Sequence, residues 1–366
     1  MTLAPMDVAG RGQRLRGRLA GVEVDALLVT NLTNIRYLTG FTGSAALLLV
    51  SDGGLTFVTD GRYGQQAEAQ LLAARVDATI EVSGTGQKDL VTGTVGAAGV
   101  ARLGLEADAV TWAAQRTYAE SWFPDLDLVP TTGLVAELRV VKDDGEIERI
   151  AAACTIADAA LADVRHRLAE RPTEIEFGLE LDSTVRRLGA DDVSFETIVA
   201  SGPNGALPHH RPDRRTIVDG DLVVIDFGAL VDGYHSDMTR TVMVGEPSAV
   251  QRRMFEVVEA SQAAGVAAVR AGVDAKSIDD ACRAVIDEAG WLDAFLHSTG
   301  HGVGLDIHEE PRVSQTSTAT LADRCVVTVE PGVYLPDHGG VRIEDTVVVT
   351  PDGCRPVTLA PKLAAL

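Results

Sequence analysis

Basic residues are scarce in this chain: 32 Lys and Arg stand against 53 Asp and Glu in 366 residues, a net charge of −21. Phosphate binding needs clustered Lys and Arg, and no basic stripe occurs, so a nucleic-acid partner is not expected. Cysteine is also scarce. Cys154, Cys282, Cys325 and Cys354 lie far apart and form no CxxC pair, which reads against a disulfide framework or a zinc cluster and for reduced thiols. Long apolar runs are missing too: the longest aliphatic stretch covers residues 45–50, far short of a bilayer span. The first 21 residues carry arginines but no apolar run behind them, unlike a signal peptide. A cytoplasmic protein with no membrane partner is therefore the expectation. The sequence also holds no GxSxG and no HExxH, and the glycines of GHGVG at 300–304 lack dinucleotide-binding spacing.

With 46% hydrophobic and 23% charged residues, the composition is that of a globular protein. At this length a core needs no structural metal, and two domains are the natural count. The first part alternates strands and helices. Residues 26–30, 46–50 and 55–59 read as strands, the last following an Asp52-Gly53-Gly54 turn, and residues 63–74 read as a helix. The pattern breaks near 130–133, and the boundary is placed between 132 and 142. Beyond it, residues 146–169 are Ala- and Leu-rich with charges on one face. Thr173 and Glu176 form a capping-box pattern for a helix that Gly189 can close. Strands are expected at 195–200 and 222–229, helices at 249–270 and 275–289, then a strand-rich end. The order hints at two similar halves.

Some carboxylates stand out from this background. Asp226 interrupts the apolar run VVIDFG at 223–228, and a bare carboxylate in such a strand needs a cation or several hydrogen bonds. A reversal at Val231-Asp232-Gly233 would bring Asp237 nearly opposite it on one face, where two like charges repel unless a cation lies between them. Glu330 and Glu344 repeat the situation, one ending the run CVVTV at 325–329, the other leading into VVV at 347–349. His301 stands between the two pairs, among glycines that let the backbone approach closely. Singly, each acid reads as a strand-end residue facing water. Together, four carboxylates and one imidazole suit two divalent cations, hard ones such as Mn²⁺. Paired metals can generate a hydroxide and polarise a carbonyl.

The segments IDFGALVDGYHSDMTRT, STGHGVGLDIHEEP, VTVEPGVYLP and GGVRIEDT, in this order, resemble the metallopeptidases of the pita-bread fold, which include methionine aminopeptidase, aminopeptidase P and prolidase. NIRYLTGFTGSAALLLV and TDGRYGQQAEA are similar to the extra N-terminal domain of the aminopeptidase P and prolidase branch. The resemblance implies a two-domain α/β chain. Residues 1–134 would form a small creatinase/prolidase-type α/β domain, and residues 135–366 a pita-bread α+β domain with a pseudo-twofold repeat. It implies that Asp226 chelates one metal, that Asp237 and Glu344 bridge the pair, and that His301 and Glu330 complete the other. His209 and His308 match the family's substrate histidines. Arg342 matches an arginine that would bind near the substrate and orient the bridging acids. Mn²⁺ is the expected ion, with Co²⁺ or Zn²⁺ as alternatives, and a homodimer is implied.

The activity so implied is hydrolysis of the bond before proline by a hydroxide bridging the metals. Glu330 would handle the proton, His308 would stabilise the oxyanion, and His209 would orient the substrate or donate to it. LPHH at 207–210 resembles the LPH form of prolidases, which favours Xaa-Pro dipeptides over the longer peptides of aminopeptidase P. His210 departs from many relatives, which have Gly or Tyr there. Three further readings fit the residues less well. Methionine aminopeptidase would not need the first 130 or so residues, and a creatinase-type amidinohydrolase does not keep the ligand positions. A non-enzymatic binding protein on the same fold usually loses ligands. His166, His235, His297 and His338 are expected to be structural or surface residues, as are Asp60, Arg62 and Tyr63, although a role for these three at a neighbouring subunit's site is kept open.

Overall fold

The computed structural model describes residues 3–84, 86–362 and 365. The chain divides into two compact units, residues 5–139 and, with Ala4, residue 140 onward. In the first unit six strands form one sheet, in the order Thr79–Ser83, Gly54–Asp60, Ala46–Ser51, Ala26–Val29, Arg102–Glu106, Asp127–Thr131. Ala26–Val29 is buried at every position, as its unbroken apolar sequence requires of a central strand. It pairs antiparallel with Ala46–Ser51 and parallel with Arg102–Glu106. Helix Leu32–Thr39 is capped by the Asn31 side chain and closed by Gly40 at φ 76°. The helix expected at 63–74 forms as Gly64–Ala73. Asp60 takes a paired bond from the exposed Arg62 guanidinium, and Tyr63 shares a hydrogen bond with Ser44.

The second unit runs helix, helix, sheet, and then again helix, helix, sheet. Helices Asp144–Val164, Glu174–Arg187 and Ala249–Ala268 each open on a complete capping box, Asp143/Glu146, Thr173/Glu176 and Ser248/Gln251. Each box satisfies N–H groups that the first helical turn leaves orphaned. The fourth helix spans Ala275–Glu288. The first sheet orders Met238–Met243, Leu222–Phe227, Ile198–Ser201, over a core that includes Leu161, Phe177, Leu181 and Ile225. The second orders Glu309–Val313, Gly300–Gly302, Val326–Val329, Asp345–Thr350, Gly353–Pro356, over Met254, Val258, Ile278 and Val327. Both sheets are hydrophobic towards their own helix pair, which leaves their end residues to meet in a polar centre.

Two expectations need correction. The strand read at 195–200 starts only at Ile198. Asp192–Val193 belongs to a separate small sheet, and between the two the Thr197 hydroxyl is drawn to Asp182. Second, Asp226 faces Thr239 rather than Asp237. Asp232 and Gly233 both have positive φ, 46° and 77°, the two-residue turn of a tight hairpin. That turn pairs Val231 with Tyr234, and the same register carries through to Asp226 and Thr239. Asp237 is thus a diagonal neighbour of Asp226, on the same side by the period of two.

Candidate metal centre

The five residues expected to chelate come together at the ends of these strands. Asp226 closes the buried run of Leu222–Phe227. Asp237 precedes Met238–Met243 and is 5% exposed. Glu330 follows Val326–Val329, its N–H donating to the Thr299 carbonyl at 2.8 Å. Glu344 connects Gly339–Arg342 with Asp345–Thr350, and its N–H donates to the Thr239 carbonyl at 3.1 Å. One oxygen of Glu344 also accepts the Thr239 hydroxyl at 2.7 Å. His301 lies in Gly300–Gly302, wedged between two strands. A Cβ on Gly300 would fall 2.0 Å from the Thr328 carbonyl oxygen, and one on Gly302 2.3 Å from that of Glu310. Only glycine lets the backbone come this close.

The chemistry of the cluster is lopsided. The Nδ1 of His301 lies 3.0 Å from the Gly302 carbonyl, which can only accept, so the proton belongs on Nδ1 and the Nε2 lone pair faces inward. It points at Asp237 Oδ2, 3.5 Å away, and Glu330 Oε1, 3.4 Å away. The imidazole thus offers these oxygens a lone pair and no proton. Ligand atoms of Asp237, His301 and Glu344 all lie within 4.8 Å of one another, and Asp226 Oδ1 and Glu344 Oε1 are buried without a hydrogen-bond partner. A buried orphan oxygen is costly. Burial and the neighbouring carboxylates hold Asp237 and Glu344 well above the usual carboxylate range, and burial pushes Glu330 up to about 8. Burial pushes His301 down to about 4. The raised carboxylates are buried with too little positive charge beside them, and the lowered imidazole is left neutral and able to ligate. The residues fit a pair of divalent cations, and an oxygen-rich set with one imidazole suits a hard ion.

Around the centre lies a cavity of about 490 Å³ lined by all five of these residues together with His209, His308 and Arg342. His308 meets His301 edge-on with ring centroids 4.4 Å apart, and burial pushes its imidazole below the ordinary range. His209 is exposed at the end of the loop that follows Gly202–Ala206. Arg342 is 3% exposed, and its donors are taken by protein. Nη2 reaches Asp226 Oδ2 at 2.6 Å, Nη1 reaches the Tyr334 hydroxyl at 2.8 Å and the Pro208 carbonyl at 3.3 Å, and Nε reaches Thr239 Oγ1 at 3.1 Å. It therefore orients Asp226, one of the pair, rather than the acids expected to bridge.

Several cavity residues escape a reading of the sequence. His297, read there as structural, does bond the Tyr334 hydroxyl at 2.8 Å, and it also lines the cavity. Burial pushes it down to about 3, so it is neutral. Its position four residues before His301 was the available signal. Arg211 and Arg312 also line the cavity. Arg211 pairs with Glu196. Arg312 is exposed on Glu309–Val313, an alternating buried-exposed strand, and among the described residues its guanidinium has no hydrogen-bond or ion-pair partner. His210 lies outside the cavity lining, hydrogen-bonded to Glu174 at 2.9 Å. His235 bonds Ser194 at 2.9 Å, and His166 is exposed.

Two sheets that close around buried carboxylates and one inward-facing imidazole define a metal-dependent hydrolase. The chain belongs to metallopeptidase family M24, whose model matches residues 148–351, and the creatinase/prolidase N-terminal domain matches residues 11–141. It is thus a two-domain metallopeptidase with a pita-bread catalytic domain. An uncharacterized peptidase, YqhT, of Bacillus subtilis is 41% identical over 96% of this chain and 98% of its own length. A solved Xaa-Pro dipeptidase from Bacillus anthracis superposes with a TM-score of 0.95 at 39% identity, covering 98% of this chain and all of the other. A solved X-Pro aminopeptidase from Thermotoga maritima gives 0.88 at 35% identity, covering 97% of this chain and all of the other.

Proposed function

We propose that this metallopeptidase hydrolyses the bond between a residue and a following proline, with dipeptides ahead of longer peptides. The observation that carries the hydrolytic reading is the convergence of three carboxylates, Asp237, Glu330 and Glu344, on His301, whose Nε2 carries no proton. The proline reading rests on the solved relatives just described. Asp226, Asp237, His301, Glu330 and Glu344 would hold two divalent cations, Mn²⁺ in first place and Co²⁺ or Zn²⁺ as alternatives. When bound, these ions supply Lewis acidity, activating a water and polarising the scissile carbonyl.

The chain's own residues do the rest. Glu330 accepts the water's proton at its carboxylate and delivers it to the leaving nitrogen of proline. Any amide nitrogen must gain a proton to leave, and that of proline, a tertiary amide, has no N–H of its own. His308, neutral through burial, donates an N–H to the oxygen that becomes negative. His209, at the cavity mouth, orients the substrate. Arg342 fixes the Asp226 carboxylate through its 2.6 Å bond.

Arg312 supports the preference for dipeptides. A free guanidinium on the wall of a cavity otherwise rich in carboxylates is suited to the terminal carboxylate of an Xaa-Pro dipeptide, which a longer peptide lacks at that position. Arg312→Met is expected to raise KM for Ala-Pro by roughly 10–100-fold, the worth of one charge-assisted bond. The same change should leave Ala-Pro-amide little affected. Equal effects on both would remove Arg312 from carboxylate recognition.

The test of the activity is hydrolysis by the Mn²⁺-reconstituted protein of Ala-Pro against Ala-Pro-Ala, with a chelated control. Faster cleavage of Ala-Pro is expected. Faster release of Ala from the tripeptide would make the protein an aminopeptidase P, and no metal-dependent cleavage of either would defeat the proline reading. A homodimer in the cytoplasm completes the proposal. The location is supported by four free cysteines, three of them buried, and the dimer by the family resemblance alone. Sedimentation at a single-chain mass would refute the dimer.

A further inference from the structure

We propose that His210, through Glu174, clamps the loop that presents His209, and so sets substrate affinity without touching substrate or metal. This deepens the proposed peptidase function and rests on it for the role of His209. Glu174 opens helix Glu174–Arg187 and is fully buried. Its Oε1 accepts the Ser201 N–H at 2.7 Å, the Ser201 hydroxyl at 2.6 Å and the Asn204 amide at 3.1 Å. Its Oε2 accepts the Asp213 N–H at 3.1 Å and lies 2.9 Å from His210 Nε2. One carboxylate thus ties both ends of the loop, Ser201 and Asp213, and reaches its tip only through His210.

On the cavity side the loop is held before His209 by the Pro208 carbonyl on Arg342 at 3.3 Å, and beyond His210 by the Arg211 pair with Glu196. Among the described residues the His209 ring itself makes no hydrogen bond, so its place depends on the backbone between Pro208 and His210. Glu174, His210 and Asp213 have the residue types of a metal site. Yet the Glu174 oxygens are already engaged by five N–H and O–H donors, and His210 Nε2 at 2.9 Å is one of their hydrogen-bond partners, with Asp213 Oδ2 a further 3.9 Å contact. The cluster is complete without an ion.

Freeing the tip leaves only a fraction of molecules with His209 in place. Apparent affinity then falls by that fraction, while bound substrate restores the competent state. His210→Ala in the Mn²⁺-reconstituted full chain is accordingly expected to raise KM for Ala-Pro about tenfold, with kcat within about twofold. Hydrogen–deuterium exchange without substrate should quicken across 202–212 and nowhere else. His210→Gln places an amide Nε2 as far from the backbone as the imidazole Nε2 and should restore both readings. Unchanged KM in the Ala variant, or unchanged exchange in the loop, overturns the proposal. A reduced kcat at wild-type KM means loss of folded enzyme and overturns it too. Should the wild type cleave no Xaa-Pro peptide, the functional reading fails, and the exchange measurement still decides whether His210 clamps the loop.

Discussion

Replacing Glu330 by Gln is expected to lower kcat for Ala-Pro by about three orders of magnitude, the usual worth of a positioned proton-transfer group. The change keeps shape and one carbonyl oxygen, so the 3.3 Å contact from the Thr328 hydroxyl can persist, but the group can no longer take up a proton. Because Glu330 is also a candidate chelator, kcat alone does not separate the two roles. Metal content per chain, measured on the same preparation, does so. Two ions with lost turnover assign proton transfer to Glu330, one ion assigns chelation, and near-normal turnover would refute both.

Removing the metals should abolish activity and also change how stability depends on pH. Glu330 is pushed up to about 8 in the folded protein by burial, from an ordinary 4.5. Between these pH values the folded state holds a proton that the unfolded state has lost, so unfolding free energy falls as pH rises, by about 1.4 kcal/mol per pH unit for one group. Asp237 and Glu344, raised in the same direction, add to the slope. The chelated protein should therefore lose Tm steadily from pH 5 to pH 8, and Mn²⁺ should restore most at the alkaline end. In chelated Glu330→Gln the fall should be shallower. A Tm of the chelated wild type that is flat or rises over this range would show that the carboxylates are not short of positive charge.

Much of this was legible because it is local. Capping boxes are written in four consecutive residues, and Thr173 with Glu176 marked a helix start within one position. Asp226 stood out because a charge inside an apolar strand is costly wherever the strand lies. The register of Asp226 against Thr239 was less visible, since it depends on whether the hairpin turn holds two residues or more. Contacts across the two halves were not visible at all. Nothing in the sequence near Arg342 says that it bonds Asp226, 116 residues away, or that Tyr334 ties Arg342 to His297. Arg312 carried no signal of its own in the sequence; the strand's alternation, with its neighbours Pro311 and Val313 buried, sets it on the face at the cavity.

The squeezed strand Gly300–Gly302 bears on how such an enzyme can diversify. Neither neighbour of His301 can gain even a methyl group without meeting a main-chain oxygen, so descendants of this chain have almost no viable single steps there. The same immobility does not reach the cavity rim, where Arg211 and Arg312 are exposed and can change without displacing backbone. New substrate preferences should therefore appear first as rim substitutions, while the tripeptide around the imidazole stays fixed from lineage to lineage.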